Sequence, residues 1–324
     1  MVRKKSALIG LIALCATLVG VVGCGSSGES DGTTSIFMVS APPGDDFYYT
    51  IEQSAKREAE KRGVDLEIQQ FGKWEPAAQT SVFNAGVAKN PDAILVNPVD
   101  TESLQAPLEK AAERGIEIIT YDTTTGEPEG VVSTFVASDV EELGRRAGNA
   151  LVDLMGTEGK IYYQQTEPDQ SFFESLHQGW TEVVDEYPGL EQLPVVYSDW
   201  EPSKAHSQME AALTAHPDLK GGFAGIYVDQ QGAVPALERA GKIGEVTLIG
   251  VDGAPPNIER LRSGALAALV SVKAANYGIA AIDAALKAID GETLPPETMI
   301  GQCLITADTI DDPKNADCLY EKAQ

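Results

Sequence analysis

The chain has 324 residues, 43% of them hydrophobic, and its 49 acidic against 24 basic side chains give a formal net charge of −25. Such a surface repels phosphate backbones and anionic headgroups, which argues against nucleic-acid binding and polybasic attachment to membranes; solubility of an exported protein is the plainer meaning of the same acidity. The length is ample for two cored domains.

The chain begins with an address. Arg3-Lys4-Lys5 is a charged start, residues 7–22 are an apolar run rich in small side chains, and Val21-Val22-Gly23-Cys24 closes it. Residues 1–23 therefore read as a secretory signal peptide, too short and wrongly flanked for a membrane span. The ending resembles a bacterial lipobox, in which Cys24 is lipidated and becomes the new N-terminus; an ordinary signal peptide with a chance Cys is the alternative. Cleavage there removes three basic side chains and takes the charge to −28, with 21 Lys+Arg against 49 Asp+Glu. A Gly/Ser-rich stretch over 24–34 suits a flexible tether. The chain is thus expected to be exported and lipid-anchored on the outer face of the cytoplasmic membrane.

From Ser35 onward, short apolar runs alternate with amphipathic stretches. Strands are predicted at 36–40, 66–70, 93–97, 116–121, 159–164, 195–197, 222–226, 247–251 and 267–272. Helices are predicted at 48–62, 104–114, 140–154, 171–186, 203–215, 232–240 and 277–289, the first carrying Glu52/Lys56 and Glu58/Arg62 at i,i+4. Gly63, Gly115, Gly241 and Gly291 stand just past helical stretches, as C-terminal caps do. This alternation predicts an α/β fold with parallel sheets covered on both faces, and about ten βα units divide more economically into two lobes than one sheet. The first crossing between lobes falls at Val136-Ala137-Ser138-Asp139. Cys303 and Cys318, fifteen apart around a polar turn, read as one disulfide clamping the tail in an oxidising compartment.

In open parallel sheets, ligands meet the loops after the C-terminal ends of strands. Those loops here hold Ser40-Ala41-Pro42-Pro43-Gly44-Asp45-Asp46-Phe47-Tyr48, Asn97-Pro98-Val99-Asp100, Asp122-Thr123-Thr124, Ala137-Ser138-Asp139 and Gly250-Val251-Asp252-Gly253. Together with Leu213-Thr214-Ala215-His216-Pro217-Asp218, and in this order over residues 35–310, these pieces resemble the ribose-type periplasmic sugar-binding proteins, soluble receptors of ABC importers. The resemblance implies two Rossmann-like lobes joined by three strands, one spanning 35–138 plus 273–300 and the other 139–272 plus 301–324. It implies that Phe47 and Tyr48 pack on a sugar ring, that Asn97, Asp122, Ser138 and Asp252 hydrogen-bond it, and that Trp200 stacks from the second lobe. Ser40 and Asp45 or Asp46 join them from the first loop. Helix capping by Asp122 or Asp252, and core packing by the aromatics, are the alternatives.

Departures from the family pattern carry their own meaning. Ser171-Phe172-Phe173-Glu174 stands where a Ser-x-x-Arg is common, Ile226-Tyr227 where an Asn-Asp pair is common, and Val272 in place of a Gln. The pocket is expected to have lost a cation and gained carboxylates, with Glu174 and Tyr227 at its edge. The expected ligand is a neutral monosaccharide or polyol delivered to a membrane permease; a cationic amino sugar, or a sensory role for a sugar-like signal, is the alternative. The expected receptor is a monomer without cofactor, metal or nucleic-acid partner. An exported hydrolase lacks support, since there is no G-x-S-x-G elbow, no G-x-x-x-x-G-K-[ST] loop and no H-E-x-x-H, and Glu174/His177 at i,i+3 is a thin metal signal.

Overall fold

The computed structural model describes residues 32–122, 130–168 and 170–323; the expected signal peptide, Cys24, most of the tether, and Thr123 and Thr124 lie outside them. The chain opens with β1 (Ser35–Ser40), α1 (Asp46–Arg62), β2 (Asp65–Gln70), α2 (Pro76–Lys89), β3 (Ala93–Val96), α3 (Thr101–Ala112), β4 (Glu117–Tyr121) and β5 (Thr134–Ser138). It continues with α4 (Val140–Met155), β6 (Gly159–Gln165), α5 (Ser171–Val184), β7 (Leu190–Gln192), β8 (Val196–Tyr197), α6 (Pro202–Ala215), β9 (Leu219–Ala224) and α7 (Tyr227–Arg239). The last elements are β10 (Thr247–Val251), α8 (Pro255–Arg262), β11 (Ala268–Val272), α9 (Ala274–Ile289), β12 (Glu297–Ile300), β13 (Gln302–Thr306) and a 3₁₀ helix, Pro313–Cys318.

Two sheets result. The first has the order β12-β5-β4-β3-β1-β2 and is parallel throughout. The second has the order β13-β11-β10-β9-β6-β7, with β8 also on β6, and β13 alone antiparallel among these strands. The chain passes between the lobes at Asp139, Lys273 and Gly301, each immediately beyond the C-terminal end of a parallel strand. The strand ends of both lobes therefore face one cleft.

Burial on both faces explains the near-continuous apolar strands: β3 and β11 are buried at every residue. Three helix pairs close on a glycine. A methyl on Gly179 of α5 would strike the Glu141 carbonyl of α4, one on Gly232 of α7 the Pro202 carbonyl of α6, and one on Gly278 of α9 the Ile51 carbonyl of α1. Beneath α4 and α5, Trp180, Tyr163 and Phe223 form a buried aromatic cluster, with Tyr163 and Phe223 stacked at 4.9 Å.

Some boundaries depart from expectation. The helix expected from Gly232 begins at Tyr227, because Pro235, which would suit a first turn, sits inside it. The strand expected at 222–226 is β9, which starts earlier and leaves Gly225 and Ile226 to the turn. In α1, Glu58 pairs with Arg62 at 3.6 Å, whereas Glu52 is buried and accepts from Gln70 at 2.8 Å. Cys303 of β13 and Cys318 are disulfide-bonded, their Cα atoms 6.2 Å apart. The last residues after this bond extend beyond the second lobe, where the whole tail is expected: they reach α1 of the first, where the backbone N–H groups of Glu321 and Ala323 donate to the side chains of Thr50 and Asp46.

Candidate functional site

The first-lobe half of the site is built by one cap. The Asp45 carboxylate accepts from the backbone N–H groups of Phe47 (2.8 Å) and Tyr48 (3.2 Å), which starts α1 and turns both rings toward the cleft end of the sheet. Phe47 then lies edge-on to Tyr48 and Tyr277 and tilted against Tyr320, at centroid distances of 5.0, 5.7 and 5.5 Å. Tyr48 donates its hydroxyl to Asp122 Oδ2 at 2.7 Å. Trp74, 43% exposed in the loop after β2, packs on Tyr48 at 5.7 Å.

Asp122 and Asp252 occupy matching places in the two lobes. Asp122 follows β4 with φ +68 and donates its N–H to Val136 of β5; Asp252 follows β10 with φ +76 and donates its N–H to Val270 of β11. Aspartate is among the few side chains that tolerate this left-handed backbone. Each carboxylate also accepts from a tyrosine: Asp122 from Tyr48, and Asp252 Oδ1 from Tyr320 at 3.3 Å. Burial, and then the neighbouring carboxylate, hold both tyrosine hydroxyls far above their usual pKa, so they remain donors.

Burial pushes Asp122 up to about 6, against the lowering effect of the Tyr48 hydroxyl, and the charge of Asp45 adds to the rise. Burial likewise pushes Asp252 up to about 7, followed by the charge of Asp45 and, after the opposing Tyr320 bond, that of Asp122. Asp45, open to solvent at the cleft mouth, is itself raised by the protein packed around it. Asp252 of the second lobe thus feels the charge of Asp45 and Asp122 of the first.

Asn97 supplies a different kind of group. It is fully buried at the end of β3, and neither its Oδ1 nor its Nδ2 has a hydrogen-bond partner. Its carbonyl and the Val99 N–H are both taken by Gln79, at 2.7 and 2.8 Å, which fixes the turn and leaves the side-chain amide open. A buried amide without partners costs stability unless something else satisfies it.

The remaining candidates differ in their surroundings. Ser40 is buried beside the Tyr121 hydroxyl, and Ser138 lies beside Tyr277 at the first crossing. Asp46 accepts from Ala323 N at 2.7 Å, so the tail takes up that carboxylate. Glu174 is exposed on the first turn of α5. Trp200 is 49% exposed and set edge-on to Phe173 at 6.2 Å, with Asp199 and Trp200 both left-handed (φ +52 and +61). That loop is tied down by the buried Ser198 hydroxyl, which donates to Asp229 at 2.6 Å. Tyr227 lies under the Arg260 guanidinium, 5.6 Å from the ring centroid, so the second lobe does carry a cation near this candidate. Among the described residues no cluster of three or more His, Cys, Asp or Glu side chains could hold a metal.

Tyr277, Tyr320, Trp74, Gln79, Asp229 and Arg260 were not singled out from sequence. Trp74 follows the end of a predicted strand and falls under the same loop rule as Asn97. Tyr320 lies two residues past the cysteine expected to clamp the tail. The others are helix residues whose directions depend on packing.

Over residues 36–293 the chain matches the periplasmic binding protein domain. The chain belongs to this family. Within it, the ribose import binding protein of Salmonella typhimurium is 26% identical over 290 residues, 90% of this chain and 94% of its own. The crystal structure of an ABC transporter solute-binding protein from Agrobacterium vitis, bound with α-D-tagatopyranose, superposes with a TM-score of 0.80 at 28% identity, covering 90% of this chain and all of that one. A second Agrobacterium vitis solute-binding protein, with bound D-fucose, gives 0.78 at 26% identity over 88% and all of the respective chains. This is a family of solute-binding proteins, and no helix among the described residues is long and apolar enough to cross a membrane.

Proposed function

We propose that this periplasmic binding protein captures a monosaccharide or related polyol between its lobes and presents it to the permease of an ABC importer. The observation that carries this reading is the convergence of Asp122, Asp252 and the unpartnered amide of Asn97 at facing strand ends. A carboxylate with one oxygen held by a tyrosine offers the other to ligand hydroxyls, in charge-assisted bonds of about 1.5–3 kcal/mol each. Phe47 and Tyr48 supply a ring face for sugar C–H groups, and Trp200 meets the ligand from the other lobe. A ligand that joins groups from both lobes favours the closed state, which makes binding a shift between open and closed populations about the three crossings. Relatives with ribose, tagatose and fucose in their names or titles support the substrate class.

A thermal-shift screen of pentoses, hexoses, polyols and amino sugars tests this reading, with mass spectrometry of any ligand that co-purifies. Stabilisation by at least one neutral sugar is expected; no response to any of them sinks it. A second reading, a cationic amino sugar, is favoured by Asp122 and Asp252, whose carboxyls are raised first by burial and then by neighbouring negative charge, both of which a cation would offset. Stabilisation by neutral sugars alone would remove it.

We further infer that signal cleavage leaves Cys24 lipidated, holding a monomeric receptor within reach of its permease. Two acyl signals suffice for stable anchoring. Replacing Cys24 with Ser is expected to release the protein from the membrane fraction; retention there would refute the anchor.

A further inference from the structure

Beyond the three crossings, the chain makes a fourth connection between its lobes. Cys318 is bonded to Cys303 of β13, and its carbonyl accepts from the Ser271 hydroxyl of β11 at 2.8 Å. The same hydroxyl accepts from Gly253 N at 3.0 Å, and a methyl on Gly253 would collide with the Cys318 carbonyl, so the loop carrying Asp252 is shaped to admit the tail. Tyr320 N donates to the Gly253 carbonyl at 2.9 Å. The next residues grip the other lobe: Glu321 N donates to Thr50 Oγ1 at 2.7 Å, the Glu321 carboxylate pairs with Arg57 at 2.6 Å, and Ala323 N donates to Asp46 Oδ1 at 2.7 Å. Between these two grips Tyr320 is 6% exposed, its hydroxyl on Asp252 and its ring against Phe47.

We propose that residues 319–323 form a clasp across the cleft, and that Tyr320, delivered by it, orients Asp252 and walls the ligand site as a specificity-determining residue. Asp122 takes its tyrosine from α1, within its own lobe; Asp252 takes its tyrosine from the tail. With one Asp252 oxygen occupied, a ligand meets the other, and its ring must fit beside Tyr320 and Phe47. The site therefore suits a single small hydroxylated ring rather than a longer saccharide leaving on the tail side. The disulfide fixes the base of the clasp, so few residues need ordering to seat it. The clasp stands on this geometry alone, whereas the selectivity of Tyr320 rests on the sugar-binding reading.

The test uses the mature protein, a truncation ending at Cys318 with the disulfide intact, and Tyr320→Phe, each checked for native near-ultraviolet dichroism. Without ligand, small-angle X-ray scattering should give a larger radius of gyration for the truncated form; identical scattering overturns the clasp. Calorimetry with D-ribose, D-allose, D-tagatose and D-fucose should show Tyr320→Phe binding its sugar about tenfold more weakly while the ligand-free melting temperature holds, and Tyr320→Ala changing the order of preference. Unchanged affinity and order overturn the role of Tyr320, as does a loss of melting temperature with no change in affinity. Should the wild-type protein take none of the four, calorimetry uses whichever sugar or polyol stabilises it in the thermal-shift screen; if none does, the sugar reading and with it the selectivity of Tyr320 fail, and scattering still decides the clasp.

Discussion

Asp122 and Asp252 share one local solution, a left-handed turn after a parallel strand with a tyrosine hydroxyl on the carboxylate. Replacing Asp122 with Ala removes an acceptor from the cleft and is expected to weaken sugar binding tenfold or more, with the fold retained; unchanged affinity in calorimetry would take Asp122 out of the site. Both carboxyls lie above their unfolded values, at about 6 and about 7, so the native state holds their protons more tightly than the unfolded chain. Their contribution to stability is complete below about pH 4 and is lost as pH rises through 6 and 7. The ligand-free melting temperature should therefore fall between pH 5 and pH 8, and Asp252→Asn should make that fall shallower. A variant as steep as the wild-type protein would show that Asp252 does not titrate there. Sugar affinity runs the opposite way, weakening on acidification as the carboxylates lose their charge.

At the scale of elements, glycine decides how closely helices approach. Gly144 and Gly179 bring α4 and α5 into backbone contact, and Arg145 spans the same pair through Glu141, Glu142 and Glu182. Gly179→Ala must push the helices apart over the buried Trp180, a change expected to cost about 1–3 kcal/mol in chemical denaturation. A neutral substitution would mean that the pair tolerates separation. The surface ion pairs of Arg145 are worth much less. The Cys303–Cys318 bond closes a separation of 15 residues, which corresponds to about 3 kcal/mol in the chain-entropy account. Replacing both cysteines with Ser should lower stability on that scale, and an unchanged denaturation midpoint would contradict it.

For the molecule as a whole, strand-and-helix alternation in the sequence is enough to predict two covered parallel sheets, because buried strands such as β3 and β11 need apolar residues on both faces. Short or half-exposed strands are harder to see: β7 and β12 carry polar residues and are held by their neighbours rather than by their own pattern. The same division runs through the candidate site. Asp45, Phe47, Tyr48, Asn97, Asp122 and Asp252 follow strand ends and are legible from the loop rule. Tyr320 reaches Asp252 only because a disulfide and a glycine route the tail past it, which no local periodicity encodes.

All six strands of the first sheet run toward the cleft, so Ser35, where β1 starts, sits at the opposite pole of that lobe. Anything joined ahead of Ser35 therefore pulls on a fixed handle remote from the moving parts. Immobilising the protein from that end on a sensor chip should leave the cleft open to solution and its closing unhindered. Attachment through the C-terminus, by contrast, would load the very segment that touches both lobes.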